Sequence, residues 1–138
     1  METAKVIIDT DILIDVLRSK KEAVALVSEL EMKKFLLATT TVNAFELYYG
    51  AHKSNQQEKG LQSTKNLLSR LVLLPFTSRS AQKAGHIYAE LEKTGQSIGL
   101  RDSFVAAIAL TRGFAVASRN TQHFRKIADL GIIGAENL

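Results

Sequence analysis

The sequence predicts an α/β domain in which a parallel sheet lies between layers of helices. Short apolar or β-branched segments alternate with longer segments of helical spacing along all 138 residues. No two neighbouring strand segments are joined by a hairpin turn such as Asn-Gly. Parallel strands need long crossover connections, usually helices, so this alternation favours a parallel sheet. We expect one domain, because a chain of this length can bury a core without disulfides.

The predicted strands are short apolar segments, and the first of them organises the rest. They cover residues 6–8, 35–39, 72–76 and 114–118, with an edge strand at 131–133. The first segment leads directly into Asp9. An apolar run that ends at a carboxylate is typical of a buried parallel strand whose carboxyl end lies at a functional edge. In open α/β sheets ligands bind at that edge, so we expect the functional site there.

The helices are predicted from apolar spacing and from residues that begin or end helices. They cover residues 12–18, 22–32, 41–52, 56–71, 78–93, 102–111 and 121–129. Asp11 is expected to cap the first helix by accepting a hydrogen bond from a free backbone N–H. Thr77 and Ser78 are expected to cap the fifth helix, while Gly95 and Gly113 are expected to end the fifth and sixth.

The third predicted helix combines an apolar face with a carboxylate. The i, i+3, i+4, i+7 spacing of one helix face is followed by Val42, Phe45, Glu46 and Tyr49. We therefore expect this face to be buried, with Glu46 inside it. A buried carboxylate needs a partner, which makes Glu46 a candidate functional residue.

Three acidic residues lack the ordinary explanation of a solvated helix face. Asp9 ends a buried strand, Glu46 interrupts an apolar helix face, and Asp102 begins an alanine-rich helix. Each has a structural alternative, since Asp9 could cap a loop, Glu46 could pair with an arginine, and Asp102 could favour the positive end of its helix. The carboxyl ends of parallel strands and the helices that follow them converge on one edge, so we expect the three side chains to meet. Together they predict a site for Mg²⁺ or Mn²⁺, which prefer carboxylate and water oxygens.

Composition narrows the classes of function. The chain has no cysteine, which excludes disulfides, a cysteine nucleophile and thiolate zinc sites. The three histidines, His52, His86 and His123, show no zinc-ligand spacing, and we expect none of them to be catalytic. Residues 1–5 lack the pattern of a signal peptide, and no apolar run has membrane-spanning length. We therefore expect a cytoplasmic protein that does not associate with a membrane.

The positive charge is unevenly placed along the chain. The formal net charge is +4, and one late segment holds the basic residues Arg101, Arg112, Arg119, Arg125 and Lys126. A positive rim around a few carboxylates suits a polyanionic substrate that is handled with a divalent cation.

Four segments, taken together, resemble one protein family. They read VIIDTD at 6–11, TVNAFEL at 41–47, IGLRD at 98–102 followed by AAIA at 106–109, and VASRNTQHF at 116–124. In this order and spacing they resemble PIN-domain proteins of the VapC type, the toxin ribonucleases of type II toxin–antitoxin modules. The resemblance covers essentially the whole chain and implies a single PIN domain over residues 1–138. It also implies a three-layer α/β/α fold with a parallel sheet of about five strands.

The resemblance further implies Mg²⁺- or Mn²⁺-dependent cleavage of single-stranded RNA. Asp9, Glu46 and Asp102 match the acidic positions of the family, so they are the implied catalytic metal ligands. Asn120 falls where many members carry a fourth acid and others carry an asparagine. As a catalytic residue it is expected to orient water or one of the metal ligands.

Substrate contacts and protein partners are implied in the same way. Thr10 and Ser118 match small hydroxyl positions that line the site. Arg101, Arg119 and Lys126 are candidates for contacts to the RNA backbone, which position a strand without reading its sequence. Toxins of this type are neutralised by an antitoxin protein that covers the active site, and they tend to form homodimers.

Two other functions stay open at the level of the sequence. Asp9, Thr10 and Asp11 form the Asp-x-Asp arrangement of haloacid-dehalogenase-like phosphatases, with Asp9 as the nucleophile. However, Ile12 and Leu13 follow it, and no later acidic pair completes that kind of site. The other alternative is a non-catalytic PIN-like module that binds RNA or a protein and keeps its acids for structure.

Overall fold

The computed structural model describes residues 3–135, and a parallel sheet lies at its centre. The strands are β1 (Lys5–Ile8), β2 (Leu36–Thr40), β3 (Val72–Leu74), β4 (Ala115–Ser118) and β5 (Ile132–Gly134). Within the described residues these five strands form one sheet in the order β3-β2-β1-β4-β5, and every neighbouring pair is parallel. The predicted parallel sheet is confirmed.

Helices form the connections between successive strands. They are α1 (Thr10–Leu17), α2 (Lys21–Met32), α3 (Thr41–Lys53), α4 (Gln57–Leu68), α5 (Ser78–Lys93), α6 (Leu100–Arg112) and α7 (Thr121–Phe124). Among the described residues, none of the helices has the length and apolar character needed to span a membrane. The predicted domain over residues 1–138 extends beyond the described residues at both ends. The segment 1–5, from which the absence of a signal peptide was predicted, begins outside the described residues.

Two hydrophobic cores lie on opposite faces of the sheet because side chains alternate along the central strand β1. Ile7 packs into one core together with residues of α5 and α6 such as Ile108. Val6 and Ile8 pack into the other core, where α1 contributes Leu13. Helices therefore cover both faces, which confirms the predicted α/β/α layers.

The first helix begins earlier than predicted. Asp9 is the N-cap of α1, and its side chain accepts a hydrogen bond from the backbone N–H of Thr10. The prediction of Asp11 as the cap is wrong, because the chain passes from β1 into α1 at a single residue. Asp11 lies in the first turn of the helix, where Oδ1 accepts a 2.7 Å bond from the backbone N–H of Ile12.

The last helix is shorter than predicted, while α6 is longer. α7 ends at Phe124 instead of residue 129, since the next turn tightens: the N–H of Ile127 bonds to the carbonyl of Phe124 three residues earlier. Asp129 then has a φ of 68°, in the left-handed region, which cannot continue a helix. α6 begins at Leu100, so Asp102 lies within its first turn.

The predicted boundaries of α5 and the end of α6 are confirmed. Thr77 caps α5 by accepting a bond from the backbone N–H of Ser80, whose side chain reaches back to Thr77. Gly113 ends α6 with a φ of 78°, which glycine adopts without steric cost.

The buried face of α3 is not the predicted one. Phe45 is 67% exposed and Tyr49 is 56% exposed. The buried residues are instead Asn43, Ala44, Leu47 and Ala51. α4 approaches this face closely at Ala51, since a Cβ placed on Gly60 would lie 3.4 Å from the Cβ of Ala51. The prediction of a buried aromatic stripe around Glu46 is therefore wrong, and the Glu46 side chain is 32% exposed at the border of the face.

Candidate active site

Asp9 is held at the carboxyl end of β1 by neighbours from three elements. Its backbone N–H donates to the carbonyl of Ala117 in β4 at 2.9 Å. Oδ1 accepts from the N–H of Thr10 and from Nδ2 of Asn43, both at 2.9 Å, and Oδ2 accepts from Oγ of Ser118 at 2.8 Å. The carboxylate is 2% exposed, so its orientation is fixed by donors of the protein.

Asn43 joins the start of α3 to this carboxylate. Its Oδ1 accepts from the backbone N–H and the hydroxyl of Thr40, at 3.1 and 2.6 Å. Its Nδ2 donates to Asp9 and to Oγ1 of Thr10, both at 2.9 Å. The sequence interpretation missed this buried residue. A signal was present, since Thr40 and Asn43 have the spacing of a capping box, although that motif usually ends in Glu or Gln.

Glu46 reaches the same region from the next turn of α3. Oγ1 of Thr10 donates to Glu46 Oε1 at 2.6 Å. Thr10 therefore links the first turn of α1 to α3, and its hydroxyl lies between Asn43 and Glu46.

Asp102 enters the site from the first turn of α6, where a carboxylate is favoured by the helix dipole. It is 3% exposed. Its Oδ2 accepts from Nδ2 of Asn120 at 2.9 Å and lies 2.7 Å from Nδ1 of His123. Asn120 and His123 also contact each other at 3.0 Å. The sequence analysis expected no catalytic role for His123, which lies in α7 three residues after the N-cap Asn120.

Arg101 connects all three predicted acids. Nη2 donates to Asp9 Oδ1 at 2.9 Å and to Glu46 Oε1 at 2.5 Å, and Nη1 donates to Asp102 Oδ1 at 2.5 Å. Burial alone would lower the pKa of Arg101, but the charge of Asp9 and the hydrogen bonds to the three carboxylates raise that pKa above its ordinary value. Arg101 therefore remains a cation at the point where the acids converge.

A second ion pair lies beside the first. Arg119 Nη2 donates to the buried carboxylate of Asp15 and, at 3.1 Å, to the backbone carbonyl of Asp11. Lys20 lies 3.4 Å from the other oxygen of Asp15. Burial, followed by the negative charge of Asp9, raises the pKa of Asp11 above its ordinary value. The sequence interpretation did not single out Asp15, which follows Asp11 by four residues on α1.

The structure brings most of the predicted site residues to one edge of the sheet. An open cavity there is lined by Asp9, Thr10, Asp11, Ile14, Glu46, Arg101, Asp102 and Asn120. The hydroxyl of Ser118 donates to Asp9, and the backbone N–H of Arg119 donates to Asp11, so both residues lie beside the cavity. Lys126 is exposed in the turn after α7 and is not part of the cavity lining.

Each of the three acids has the local structural role that the sequence left open, and the three side chains also converge on one site. Asp9 caps α1, Glu46 pairs with an arginine, and Asp102 occupies the first turn of α6. Local helix-capping roles and a shared site are therefore compatible in this fold.

Carboxylate oxygens suit a hard divalent cation, but here the guanidinium of Arg101 contacts all three carboxylates. Asp9, Glu46 and Asp102 each direct an oxygen at the Arg101 guanidinium at 2.5–2.9 Å. Within residues 3–135 no set of three or more His, Asp or Glu side chains is arranged to hold a metal ion. Carboxylate oxygens are the ligands that Mg²⁺ and Mn²⁺ prefer, but these oxygens are already engaged by hydrogen bonds.

Comparison with known sequences identifies related proteins. A family model described as the PIN domain matches residues 6–130. The chain is 32% identical over 126 residues to Ribonuclease VapC2 of Haemophilus influenzae, covering 91% of this chain and 94% of that protein. It is 31% identical over 126 residues to the tRNA(fMet)-specific endonuclease VapC of Shigella flexneri, with the same coverage of 91% and 94%.

Solved structures show the same architecture. DNA-bound VapBC from Salmonella typhimurium superposes with a TM-score of 0.83 and 27% identity, covering 96% of this chain and 98% of that chain. VapBC2 from Rickettsia felis, bound to a promoter DNA fragment, gives a TM-score of 0.86 at 23% identity, with coverage of 95% and 98%. The second likeness concerns the fold alone.

Proposed function

This chain belongs to the PIN domain family, and from that membership we propose that it is a metal-dependent endoribonuclease that cleaves single-stranded RNA. One observation carries the proposal: carboxylates from three separate elements, Asp9, Glu46 and Asp102, direct oxygens at a single cation. Two of these carboxylates are almost completely buried. Converging buried acids are costly for stability unless a cation balances them, so they are typical of a functional site.

The names of the relatives support the biological setting of this activity. Curated relatives are called VapC ribonucleases and a tRNA(fMet)-specific endonuclease, and solved structures of the same fold are VapBC assemblies. We assign the chain the role of the toxin in a VapBC-type pair, acting on RNA in the cytoplasm. Its partner would be an antitoxin protein that covers the acidic site.

Asp9, Asp102 and Glu46 are the residues that would hold Mg²⁺ or Mn²⁺. Such an ion lowers the pKa of a bound water and stabilises charge on the phosphate under attack. The chain supplies the orientation: Ser118 and Asn43 hold Asp9, and Thr10 holds Glu46. Partners of metal ligands commonly matter nearly as much as the ligands themselves.

Asn120 acts in this proposal by positioning Asp102. Its amide N–H bonds to Oδ2 of Asp102, which leaves Oδ1 directed at the cation position. Of the two roles expected for Asn120, this contact supports the orientation of a ligand. In-line attack of water on the phosphodiester then breaks the bond to the 3′ oxygen and leaves a 5′-phosphate and a 3′-hydroxyl.

The RNA backbone would be contacted by Arg101, Arg119 and Lys126. Lys126 is exposed, whereas Arg119 is engaged by Asp15 and Arg101 by the three acids. Arg101 can therefore contact a phosphate only after it leaves the carboxylates. Thr10 and Ser118 would line the position of the bound strand.

We also propose that the chain forms a homodimer through an exposed apolar surface. Phe45 and Tyr49 stack with a centroid distance of 6.1 Å although both are largely exposed. Aromatic residues are enriched at protein–protein interfaces relative to the rest of the surface.

One observation favours a second candidate function, a non-catalytic PIN-like module that binds RNA or protein. Because Arg101 already compensates the three acids, their burial is explained without any metal ion. A phosphatase that uses Asp9 as its nucleophile receives no comparable support, since the family model that matches residues 6–130 is that of the PIN domain.

Cleavage of a mixed pool of single-stranded RNA separates these functions. Wild-type protein, Asp102→Asn and the control Glu29→Gln are incubated with EDTA, Mg²⁺ or Mn²⁺. Glu29 is an exposed carboxylate paired with Lys33, so its substitution removes one charge outside the site. The nuclease predicts metal-dependent cleavage that Asp102→Asn abolishes and Glu29→Gln retains. If folded wild-type protein leaves every RNA intact with both metals, the binding module is favoured instead.

A further inference from the structure

Arg101 occupies the position on which the site converges. It precedes Asp102 in the first turn of α6, so its side chain starts at the edge of the acidic cavity. The guanidinium contacts Asp9, Glu46 and Asp102 at 2.5–2.9 Å, and the Arg101 side chain is 32% exposed. The cation is thus built into the chain, and it lies between the buried acids and the solvent.

The contacts define which oxygens the guanidinium takes. Asp102 directs Oδ2 to Asn120 and His123, and it directs Oδ1 to Arg101. Asp9 Oδ1 accepts from Arg101 as well as from Thr10 and Asn43. Glu46 Oε1 accepts from Arg101 as well as from Thr10. Arg101 therefore donates to oxygens that the supporting residues already orient.

The charge balance is incomplete with Arg101 in place. The residues that line the cavity include four carboxylates, those of Asp9, Asp11, Glu46 and Asp102, and one guanidinium, so acidic groups outnumber basic ones there. The other nearby arginine, Arg119, is engaged by Asp15. The cavity therefore still attracts a cation of higher charge.

One N–H group of the Arg101 guanidinium has no hydrogen-bond acceptor among the described residues. Nε of Arg101 is buried and has no hydrogen-bond partner within the described residues. A buried donor without a partner costs free energy, which lowers the cost of moving this side chain outward. Because the side chain is partly exposed, it can turn into solvent without opening either core.

We propose that Arg101 is a resident cation that closes the metal position and competes with the divalent ion for the three carboxylates. The inference rests on the proposed function, since it concerns the same site. With no metal bound, Arg101 prevents the carboxylates from repelling one another and stabilises the fold. A metal ion enters only as the guanidinium leaves, so wild-type affinity for the ion is reduced.

Calorimetric titration with Mn²⁺ tests the competition directly, because it measures binding and not cleavage. The variants are Arg101→Ala and Arg101→Gln, the second retaining a polar side chain in case the first does not fold. The matched control is Arg70→Ala, which removes the same charge. Arg70 lies just before β3, at the opposite edge of the sheet from the acids, and pairs with Glu31.

We expect at least one folded Arg101 variant to bind Mn²⁺ about tenfold more tightly than wild type, since charge-assisted hydrogen bonds no longer have to be displaced. Arg70→Ala should bind Mn²⁺ as wild type does. In EDTA the Arg101 variant should melt at a lower temperature than wild type, and Mn²⁺ should raise its melting temperature by a larger increment.

Equal or weaker Mn²⁺ binding by both Arg101 variants would overturn the inference, as would no binding by any form of the protein. These outcomes differ from failure of the proposed function. If wild type cleaves RNA with Mn²⁺ but binds the ion no less tightly than the variants, the nuclease function is supported and the competition by Arg101 is contradicted. If the variants bind Mn²⁺ more tightly but wild type cleaves no RNA, the competition by Arg101 is supported and the nuclease function is contradicted.

Discussion

The side-chain amide of Asn43 donates a 2.9 Å hydrogen bond to Oδ1 of Asp9, which joins the start of α3 to the end of β1. Asn43 has no exposed surface, and its carbonyl oxygen accepts from the backbone and the hydroxyl of Thr40. One buried side chain therefore caps a helix and orients a candidate metal ligand. Stability and the geometry of the site are coupled at this position.

Asn43→Ala should lower the free energy of unfolding by about 2–3 kcal/mol, because it leaves buried donors and acceptors unpaired. Urea denaturation measures the change. Asn66→Ala is a matched control, since the Asn66 side chain is exposed on α4 and accepts from Gln62. This substitution should change stability by less than about 0.5 kcal/mol. Equal effects of the two substitutions would contradict the role of Asn43.

Asn120→Ala should reduce the rate of RNA cleavage by about 10–100-fold, as is usual when a partner of a metal ligand is removed. The reason is the loss of the 2.9 Å bond that orients Asp102. Single-turnover cleavage with saturating Mn²⁺ measures the effect on the chemical step. Gln122→Ala, an exposed neighbour on α7, should cleave at the wild-type rate. A wild-type rate for Asn120→Ala would remove Asn120 from the site.

Arg119→Ala should destabilise the fold by about 1–3 kcal/mol, because the buried carboxylate of Asp15 would keep only Lys20 as a charged partner. Urea denaturation of this variant, of Asp15→Asn and of the double variant forms a thermodynamic cycle. We expect the double variant to lose less free energy of unfolding than the sum of the losses in the two single variants. Strict additivity would mean that the two side chains do not interact.

Thr77→Ala should cost about 1 kcal/mol of stability, since Thr77 and Ser80 cap α5 reciprocally. Thr77→Ser keeps the capping hydroxyl and should remain within a few tenths of a kcal/mol of wild type. Thermal and urea unfolding measure both variants. RNA cleavage should be unchanged, because α5 contributes no residue to the acidic cavity. A neutral Thr77→Ala would contradict the capping role.

The architecture could be predicted because short stretches of sequence determine each strand and helix end. The apolar segment at 6–8 forms a strand, Thr77 begins α5 and Gly113 ends α6. Asp9 lies where β1 ends. The helix α6 ends just before β4 begins, so its first turn, with Asp102, lies toward the edge where the strands end.

The errors arose where tertiary packing decided between local options. The spacing of Phe45 and Tyr49 is that of a buried face, yet α3 packs against α4 through the face that carries Ala51, which lies close to Gly60. Asn43 is buried because its amide satisfies groups on two other elements, which no periodicity reveals. The direction of the long Arg101 side chain is likewise set by three acids distant in sequence or on its own helix.

Cleavage of single-stranded RNA by wild type and Asp9→Asn, with Mn²⁺ or EDTA and with analysis of the product ends, tests the central claim most directly. Asp9 is the acid with the most contacts to the other site residues. We predict Mn²⁺-dependent fragments with 5′-phosphate ends from wild type, and none from Asp9→Asn. Cleavage that persists in EDTA, or that Asp9→Asn retains, would contradict a metal-dependent nuclease at this site.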